Sequence, residues 1–233
     1  MKITFLSLLF FTHFFWGTIS LNSQTIESNK ALKAKIDAYL QASVLNGFSG
    51  SVLVSQKGNI ILSKGYGWAD RKNKIPNTAS TVYNIGSVTK QFTASAILKL
   101  VEQGEIKTSD KISLFYKQAP ADKKNITIHQ LLTHSSGISP RTGGFRYDEA
   151  DKEQFLNDFF ESELQSEPGT KHQYANANYI MLSAILESVS KQNYGTFLNE
   201  YLFEPAGMDY TGYKSISFNT EKLAPWLLLP YRR

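Results

Sequence analysis

Two serines in this sequence are each followed three residues later by a lysine, in Ser87-Val-Thr-Lys90 and in Ser188-Val-Ser-Lys191. Serine is a weak nucleophile at its normal pKa and needs a base within hydrogen-bonding distance. Residues three apart share one face of a helix, and partial burial or a nearby cation lowers the pKa of an amine toward neutrality. A helix could therefore hold the lysine amine beside the serine hydroxyl as its base.

The two copies differ in their predicted positions on a helix. Apolar spacing predicts a helix over residues 87–104, with Ser87 at or near its N-terminus. There the helix dipole favours developing negative charge, the Ser87 N–H can donate to an oxyanion, and Gly86 leaves the backbone open to a substrate. Ser188 and Lys191 fall near the C-terminal end of their helix, which we interpret as a polar helix end. Ser87 by itself could equally be an N-cap residue.

Tyr174-Ala-Asn176 is the only Tyr-x-Asn in the chain and lies on a predicted loop that leads into a helix. On an extended loop, residues two apart point to the same side. The Tyr174 phenol could then relay protons with Lys90, and the Asn176 amide could bind a substrate carbonyl. The alternative is a packed tyrosine followed by a helix-capping asparagine.

Composition excludes several kinds of function. The 233 residues contain no cysteine, which rules out disulfides, thiolate metal sites and cysteine nucleophiles. The net charge of +5 comes from basic residues scattered among acidic ones, so we expect no nucleic-acid partner. His129, His134 and His172 are poorly spaced for a metal, and we interpret His134 as a structural turn residue. We expect no metal and no cofactor.

The first 23 residues have the layout of a secretory signal peptide. Lys2 precedes an apolar run that is shorter than the roughly 20 residues of a bilayer-spanning helix. Small and polar residues follow, and cleavage after Ser20 or Ser23 is expected. Because no cysteine is available for lipidation, we expect no stable membrane anchor after cleavage and a periplasmic or secreted location. A transmembrane anchor is the alternative.

The remaining pattern predicts an α+β protein. A helix over residues 29–47 precedes a β-hairpin, with its strands in 49–55 and 59–69 and its turn near Gly58, and then a polar linker over 70–86. Most of the later chain is predicted to be helical, over residues 87–104, 127–137, 151–162, 178–192 and 194–203. A lone two-stranded hairpin is marginally stable in water, so this sheet is expected to need further strands.

These motifs and their order resemble the serine β-lactamase and penicillin-binding-protein superfamily, specifically its class C β-lactamase, D-alanyl-D-alanine carboxypeptidase and esterase branch. The resemblance runs from about residue 35 to 212 and includes "YNIGSVTKQFTASAIL", "LLTHSSGI" and "PGTKHQYANANYIMLSAILE". It implies a β-lactamase/transpeptidase-like fold with a helical region packed on an antiparallel sheet. It also implies that Ser87 is the acylated nucleophile, Lys90 its base, Tyr174 the general acid/base partner and Asn176 a substrate-binding residue.

One part of the family pattern is not found. The third family motif, a Lys- or His-x-Gly on a strand, should follow "MDYTGY", but the residues after Gly212 contain no glycine. We therefore expect residues 24–233 to form a β-lactamase-like domain that lacks its C-terminal strands. The expected function is an exported serine hydrolase that forms an acyl-enzyme on Ser87 with a β-lactam, a D-amino-acid peptide of peptidoglycan or an ester. The alternative is an inactive fragment or pseudoenzyme that at most binds a ligand.

Overall fold

The computed structural model describes residues 28–142 and 152–213. The described chain divides into two compact units, one of residues 28–84 and one from residue 85 onward. The predicted signal peptide and residues 214–233 lie outside the described residues. Within residues 28–142 and 152–213, no helix is long and apolar enough to cross a membrane.

The first unit contains the predicted helix and hairpin. Helix α1 covers residues 28–45, and strands β1 (Gly50–Gln56) and β2 (Asn59–Tyr66) pair antiparallel. The turn residues Lys57 and Gly58 both have positive φ, 50° and 78°, the conformation that lets a two-residue turn match the twist of its strands. The predicted hairpin and its turn are confirmed.

The predicted linker is not wholly irregular. Two short strands, β3 (Trp68–Asp70) and β4 (Ile75–Pro76), form a second antiparallel pair at its start. The Asp70 carboxylate accepts hydrogen bonds from the backbone N–H groups of Lys72 and Asn73 at 2.8 and 3.1 Å, which closes the tight turn between these strands. The predicted second hairpin strand over 59–69 therefore ends early, at Tyr66, and the first residues of the predicted polar linker belong to a strand pair and its turn.

The second unit is helical, and its described helices are α2 (Thr89–Glu102), α3 (Ile112–Phe115), α4 (Ile128–Leu132), α5 (Lys152–Glu161), α6 (Asn176–Ser190) and α7 (Tyr194–Leu198). A 3₁₀ turn at Gly86–Val88 leads into α2, and a π-helical turn at Asn199–Phe203 follows α7. Helices α2 and α6 pack against each other. Their apolar faces join one core whose fully buried members include Ile97, Leu100, Leu131, Met181, Ile185 and Phe197. This core fixes the two helices that carry the candidate site, and the α+β class is confirmed.

Several helix boundaries differ from prediction, among them those of α4 and α6, and helix α3 was not predicted. Helix α4 begins at a capping box made by Thr127 and Gln130 and ends at Leu132, whereas the sequence placed its end at Ser136–Gly137. The chain leaves this helix through His134, whose φ of 54° is left-handed and stops helical hydrogen bonding. Helix α6 begins at Asn176, two residues before the predicted start.

Candidate active site

Ser87 lies in the 3₁₀ turn that begins α2, so the predicted place of this serine at a helix start is confirmed. Gly86 has a φ of 52°, and a Cβ added to it would meet no atom within 4 Å. The glycine is therefore required by the backbone conformation and not by lack of space. Ser87 itself is exposed, so its hydroxyl is open to solvent.

The Ser87 hydroxyl oxygen receives two hydrogen bonds. Lys90 Nζ donates to it at 3.3 Å from one turn further along α2, and the Tyr174 hydroxyl donates to it at 2.9 Å. The lysine is beside the serine, as the three-residue spacing predicts. Tyr174 is 87 residues distant in sequence and reaches the same oxygen.

Asn176 completes the cluster from the first residue of α6. Its Oδ1 accepts a hydrogen bond of 2.7 Å from Lys90 Nζ. Ala175 before it is extended, with φ −140° and ψ 128°. Tyr174 and Asn176 therefore reach the same lysine, as their spacing predicts, although Asn176 belongs to the helix and not to the loop. All four residues predicted for the site are within one cluster.

Lys90 has aromatic and neutral neighbours. Its Nζ lies 4.9 Å from the centroid of the Tyr174 ring and 5.7 Å from that of the Tyr179 ring. None of the ion pairs found in the described part of the chain involves Lys90. Ring faces attract a cation without neutralising its charge, so whenever Lys90 carries its proton it is a source of positive potential at the Ser87 hydroxyl.

The positive charge of Lys90 affects the Tyr174 phenol. Partial burial raises the pKa of Tyr174, but its interactions with Lys90, its hydrogen bond to Ser87 and the Lys90 charge outweigh burial and lower this pKa below its ordinary value of 10. The direction favours the phenolate, which can accept a proton. Tyr174 and Lys90 are thus coupled as an acid/base pair next to one hydroxyl.

An open cleft of about 320 Å³ borders this cluster. Ser87, Lys90 and Asn176 line part of it. Much of the remaining wall is made of hydroxyl-bearing side chains from α2, α6 and α7, namely Thr89, Thr93, Tyr179, Ser183 and Tyr194. A small polar group could enter it and reach the Ser87 hydroxyl.

The second Ser-x-x-Lys pair has a different environment. Lys191 is the left-handed residue that ends α6, with φ 58°, and its Nζ donates to the backbone carbonyl of Ser188 at 2.6 Å. The Lys191 amine is therefore hydrogen-bonded to the backbone and not to the Ser188 hydroxyl. The interpretation of this copy as a polar helix end is confirmed.

Sequence reasoning missed a polar layer behind Tyr174. His134, Ser136 and Asn178 are all buried, and the ring of His134 lies against that of Tyr174 with 4.5 Å between centroids. The sequence interpretation of His134 as a structural turn residue agrees with its burial. Within the described ranges, no group of three or more metal-ligating side chains occurs. The one sequence feature that could have indicated this layer is the polar run His134-Ser135-Ser136-Gly137, which follows α4.

Comparison with known proteins gives a consistent result. A family model described as beta-lactamase matches residues 32–225. PbpX of Bacillus subtilis strain 168, a penicillin-binding protein by name, is 32% identical over 209 residues, which are 90% of this chain and 50% of PbpX.

Two solved structures have the same fold. FmtA from Staphylococcus aureus is 28% identical with a TM-score of 0.71, over 82% of this chain and 53% of FmtA. The D-amino acid amidase from Ochrobactrum anthropi SV3, complexed with D-phenylalanine, is 25% identical with a TM-score of 0.71, over 83% of this chain and 56% of the amidase. The chain spans about half the length of the relatives it matches.

Proposed function

The chain belongs to the beta-lactamase family of serine hydrolases, and on that premise we propose that it hydrolyses an acyl substrate through a covalent intermediate on Ser87. One observation carries the proposal. The Ser87 hydroxyl oxygen accepts hydrogen bonds from both Lys90 Nζ and the Tyr174 hydroxyl. A serine between two groups that can exchange protons is the arrangement that nucleophilic catalysis needs.

In the acylation step, the Ser87 hydroxyl oxygen attacks the substrate carbonyl carbon and its proton passes to the Lys90–Tyr174 pair. The Ser87 N–H, at the start of α2, donates to the oxyanion, which the helix dipole also favours. The bond from the carbonyl carbon to the leaving nitrogen or oxygen then breaks, and Tyr174 returns the proton to that atom. The product is an ester on Ser87 and a free amine or alcohol.

In deacylation, a water molecule takes the place of the leaving group. The pair removes a proton from the water, the water oxygen bonds to the acyl carbon, and the ester bond to Ser87 breaks. The Ser87 oxygen recovers its proton from the pair, and the acid product leaves. The Lys90–Tyr174 pair returns each proton that it accepts, first to the leaving group and then to Ser87, so no cofactor is required.

Asn176 is proposed to orient the substrate. Its Oδ1 is engaged by Lys90, and among the described residues its Nδ2 donates to no protein acceptor. That amide N–H can therefore donate to a carbonyl of a bound β-lactam, D-amino-acid peptide or ester. Among these three substrate classes, the resemblance to a D-amino acid amidase supports a substrate whose acyl group carries a D-amino acid.

Export is part of the proposal. It is supported by the signal-like residues 1–23, which contain one basic residue followed by an apolar run. A periplasmic or secreted enzyme would meet peptidoglycan peptides and β-lactams there.

The proposal is tested by covalent labelling of the full chain with a fluorescent penicillin and, separately, with a fluorophosphonate. The wild type and Ser188→Ala are expected to be labelled by at least one probe, while Ser87→Ala takes no label. Ser188→Ala is the matched control because it removes a hydroxyl from the other Ser-x-x-Lys pair. Unlabelled wild-type protein, or label that persists in Ser87→Ala, would contradict the proposal.

A further inference from the structure

This inference rests on the proposed function. We propose that His134 is a positioning residue that holds Tyr174 against Ser87 by accepting hydrogen bonds from the residues on both sides of the tyrosine. The backbone carbonyl of His134 accepts from the N–H of Gln173 at 2.7 Å, and its Nδ1 accepts from the N–H of Ala175 at 3.3 Å. One residue thus holds both neighbours of Tyr174.

The backbone of His134 makes this double contact possible. Its φ of 54° is in the left-handed region, which non-glycine residues seldom adopt. In this conformation the carbonyl and the side chain of His134 both reach the segment that carries Tyr174. The cost of an unusual backbone conformation at a buried residue is consistent with a role in positioning.

A second donor fixes the tautomer of the ring. Asn178 Oδ1 accepts from the Ser136 hydroxyl at 2.6 Å, so the amide group turns its Nδ2 toward His134 Nδ1 at 3.2 Å. Both Ser136 and Asn178 are fully buried. Since His134 Nδ1 faces two N–H donors, the ring proton must be on Nε2.

The ring also packs against both tyrosines that flank Lys90. Its centroid lies 4.5 Å from that of Tyr174 and 5.1 Å from that of Tyr179. The Tyr179 hydroxyl in turn donates to the Leu132 carbonyl at 3.0 Å. A displacement of His134 would therefore move the Tyr174 ring relative to both Ser87 and Lys90.

The neutral state of the ring suits this role. Burial, together with the charges of Lys90 and His172, lowers the pKa of His134 to about 4. The ring is therefore uncharged at neutral pH, and Nδ1 remains an acceptor. A protonated ring would place an N–H against the donors of Ala175 and Asn178, and a second positive charge near Lys90.

Two variants separate the effect of the hydrogen-bond acceptor on acylation from the effect of the backbone conformation. His134→Asn keeps an acceptor oxygen in the position of Nδ1 and tolerates left-handed φ, whereas His134→Gly adopts the same backbone without any acceptor. His129→Asn is the matched control, because His129 is exposed on α4. Stopped-flow acylation by a fluorescent penicillin gives the binding constant and the acylation rate constant of each protein.

We expect His134→Gly to lower the acylation rate constant about 10²-fold with little change in penicillin binding, as for a displaced catalytic group. His134→Asn should recover most of that loss, and His129→Asn should match the wild type. A rate constant in His134→Gly within about twofold of wild type would overturn the inference, as would equal losses in the Asn and Gly variants.

Nitrogen-15 NMR of the His134 ring in the wild-type full chain gives an independent test, which also applies if His134→Gly does not fold. A proton on Nε2 is expected, and a proton on Nδ1 at neutral pH would overturn the inference. Wild type that takes no label would overturn the proposed function and with it the positioning of a catalytic tyrosine by His134. Labelled wild type with an unaffected His134→Gly would overturn the positioning role alone.

Discussion

Lys90 contacts the three other residues of the candidate site. It donates to the Ser87 hydroxyl and to Asn176 Oδ1, and its ammonium lies over the Tyr174 ring. A single side chain thus connects the proposed nucleophile, the proposed proton carrier and the proposed substrate ligand. Substitutions at this lysine and at its tyrosine partner test the residue-scale account.

Replacement of Lys90 by alanine should remove the base without unfolding the protein. We expect acylation by penicillin to slow about 10²–10⁴-fold, the usual contribution of general acid–base catalysis. The free energy of unfolding should change little, since the residue is only half-buried and makes no ion pair among the described residues. Lys191→Ala in the other Ser-x-x-Lys pair is the control and should acylate normally. Labelling of Lys90→Ala at the wild-type rate would refute the role of this lysine.

The pH dependence of acylation should report the Tyr174 phenol. A base acts when deprotonated, so the rate should rise as pH rises through the pKa of Tyr174, which hydrogen bonds to Lys90 and Ser87 lower below its ordinary value of 10 against the opposing effect of burial. Tyr174→Phe should be slower and should lose this inflection. The measurement is the acylation rate constant across the alkaline range. An identical profile in both proteins would show that Tyr174 carries no proton in this step.

At the scale of elements, the 3₁₀ turn before α2 supplies Ser87, α2 supplies Lys90, and the loop before α6 supplies Tyr174. The loop after α4 sets the position of that second loop, because the carbonyls of Ser135 and Gly137 accept from the N–H groups of Gly169 and Gln165 at 2.7 and 2.8 Å. The paired loops therefore determine how close Tyr174 comes to Ser87.

Gly137 tests this loop pairing. Its φ is 81°, and an added Cβ would collide with the Ser166 carbonyl oxygen. We expect Gly137→Ala to destabilise the protein by more than the about 1–2 kcal/mol that left-handed backbone alone costs. Gly104→Ala is the matched control, with φ 78° but open space around the added methyl. Urea unfolding of both variants gives the comparison, and equal destabilisation would exclude a close approach at Gly137.

Sequence patterns predicted the parts of the molecule that local rules determine. The hairpin turn at Lys57–Gly58, the place of Ser87 just before α2 and the juxtaposition of Tyr174 and Asn176 with Lys90 follow from spacing and turn chemistry. The β3–β4 pair was missed because each strand is too short for an alternating pattern. The hydrogen bonds of His134 were missed because they join residues about forty apart in sequence, a separation that periodicity does not detect.

At the scale of the whole molecule, the chain spans about half the length of relatives such as PbpX, FmtA and the D-amino acid amidase. All four predicted site residues belong to the second unit, from residue 85 onward. The proposed chemistry therefore depends on one helical unit, and the proposed location depends on residues 1–23.

Export predicts a shorter mature protein. Expression of the full chain with a Sec-competent host should yield a periplasmic product that begins at Leu21 or Gln24, since cleavage is expected after Ser20 or Ser23. N-terminal sequencing and intact-mass measurement check this. A protein that retains Met1 and fractionates with the membrane would support the anchor alternative.

Site mapping of the covalent adduct tests the central claim most directly. The full chain is incubated with a penicillin, quenched in acid, digested with trypsin and examined by tandem mass spectrometry. The account predicts one adduct of the intact penicillin mass on the peptide of residues 75–90, with fragment ions that assign it to Ser87 and not to Ser80. Absence of an adduct both here and in the same experiment with a fluorophosphonate, or an adduct on Ser188 or another residue, would contradict it.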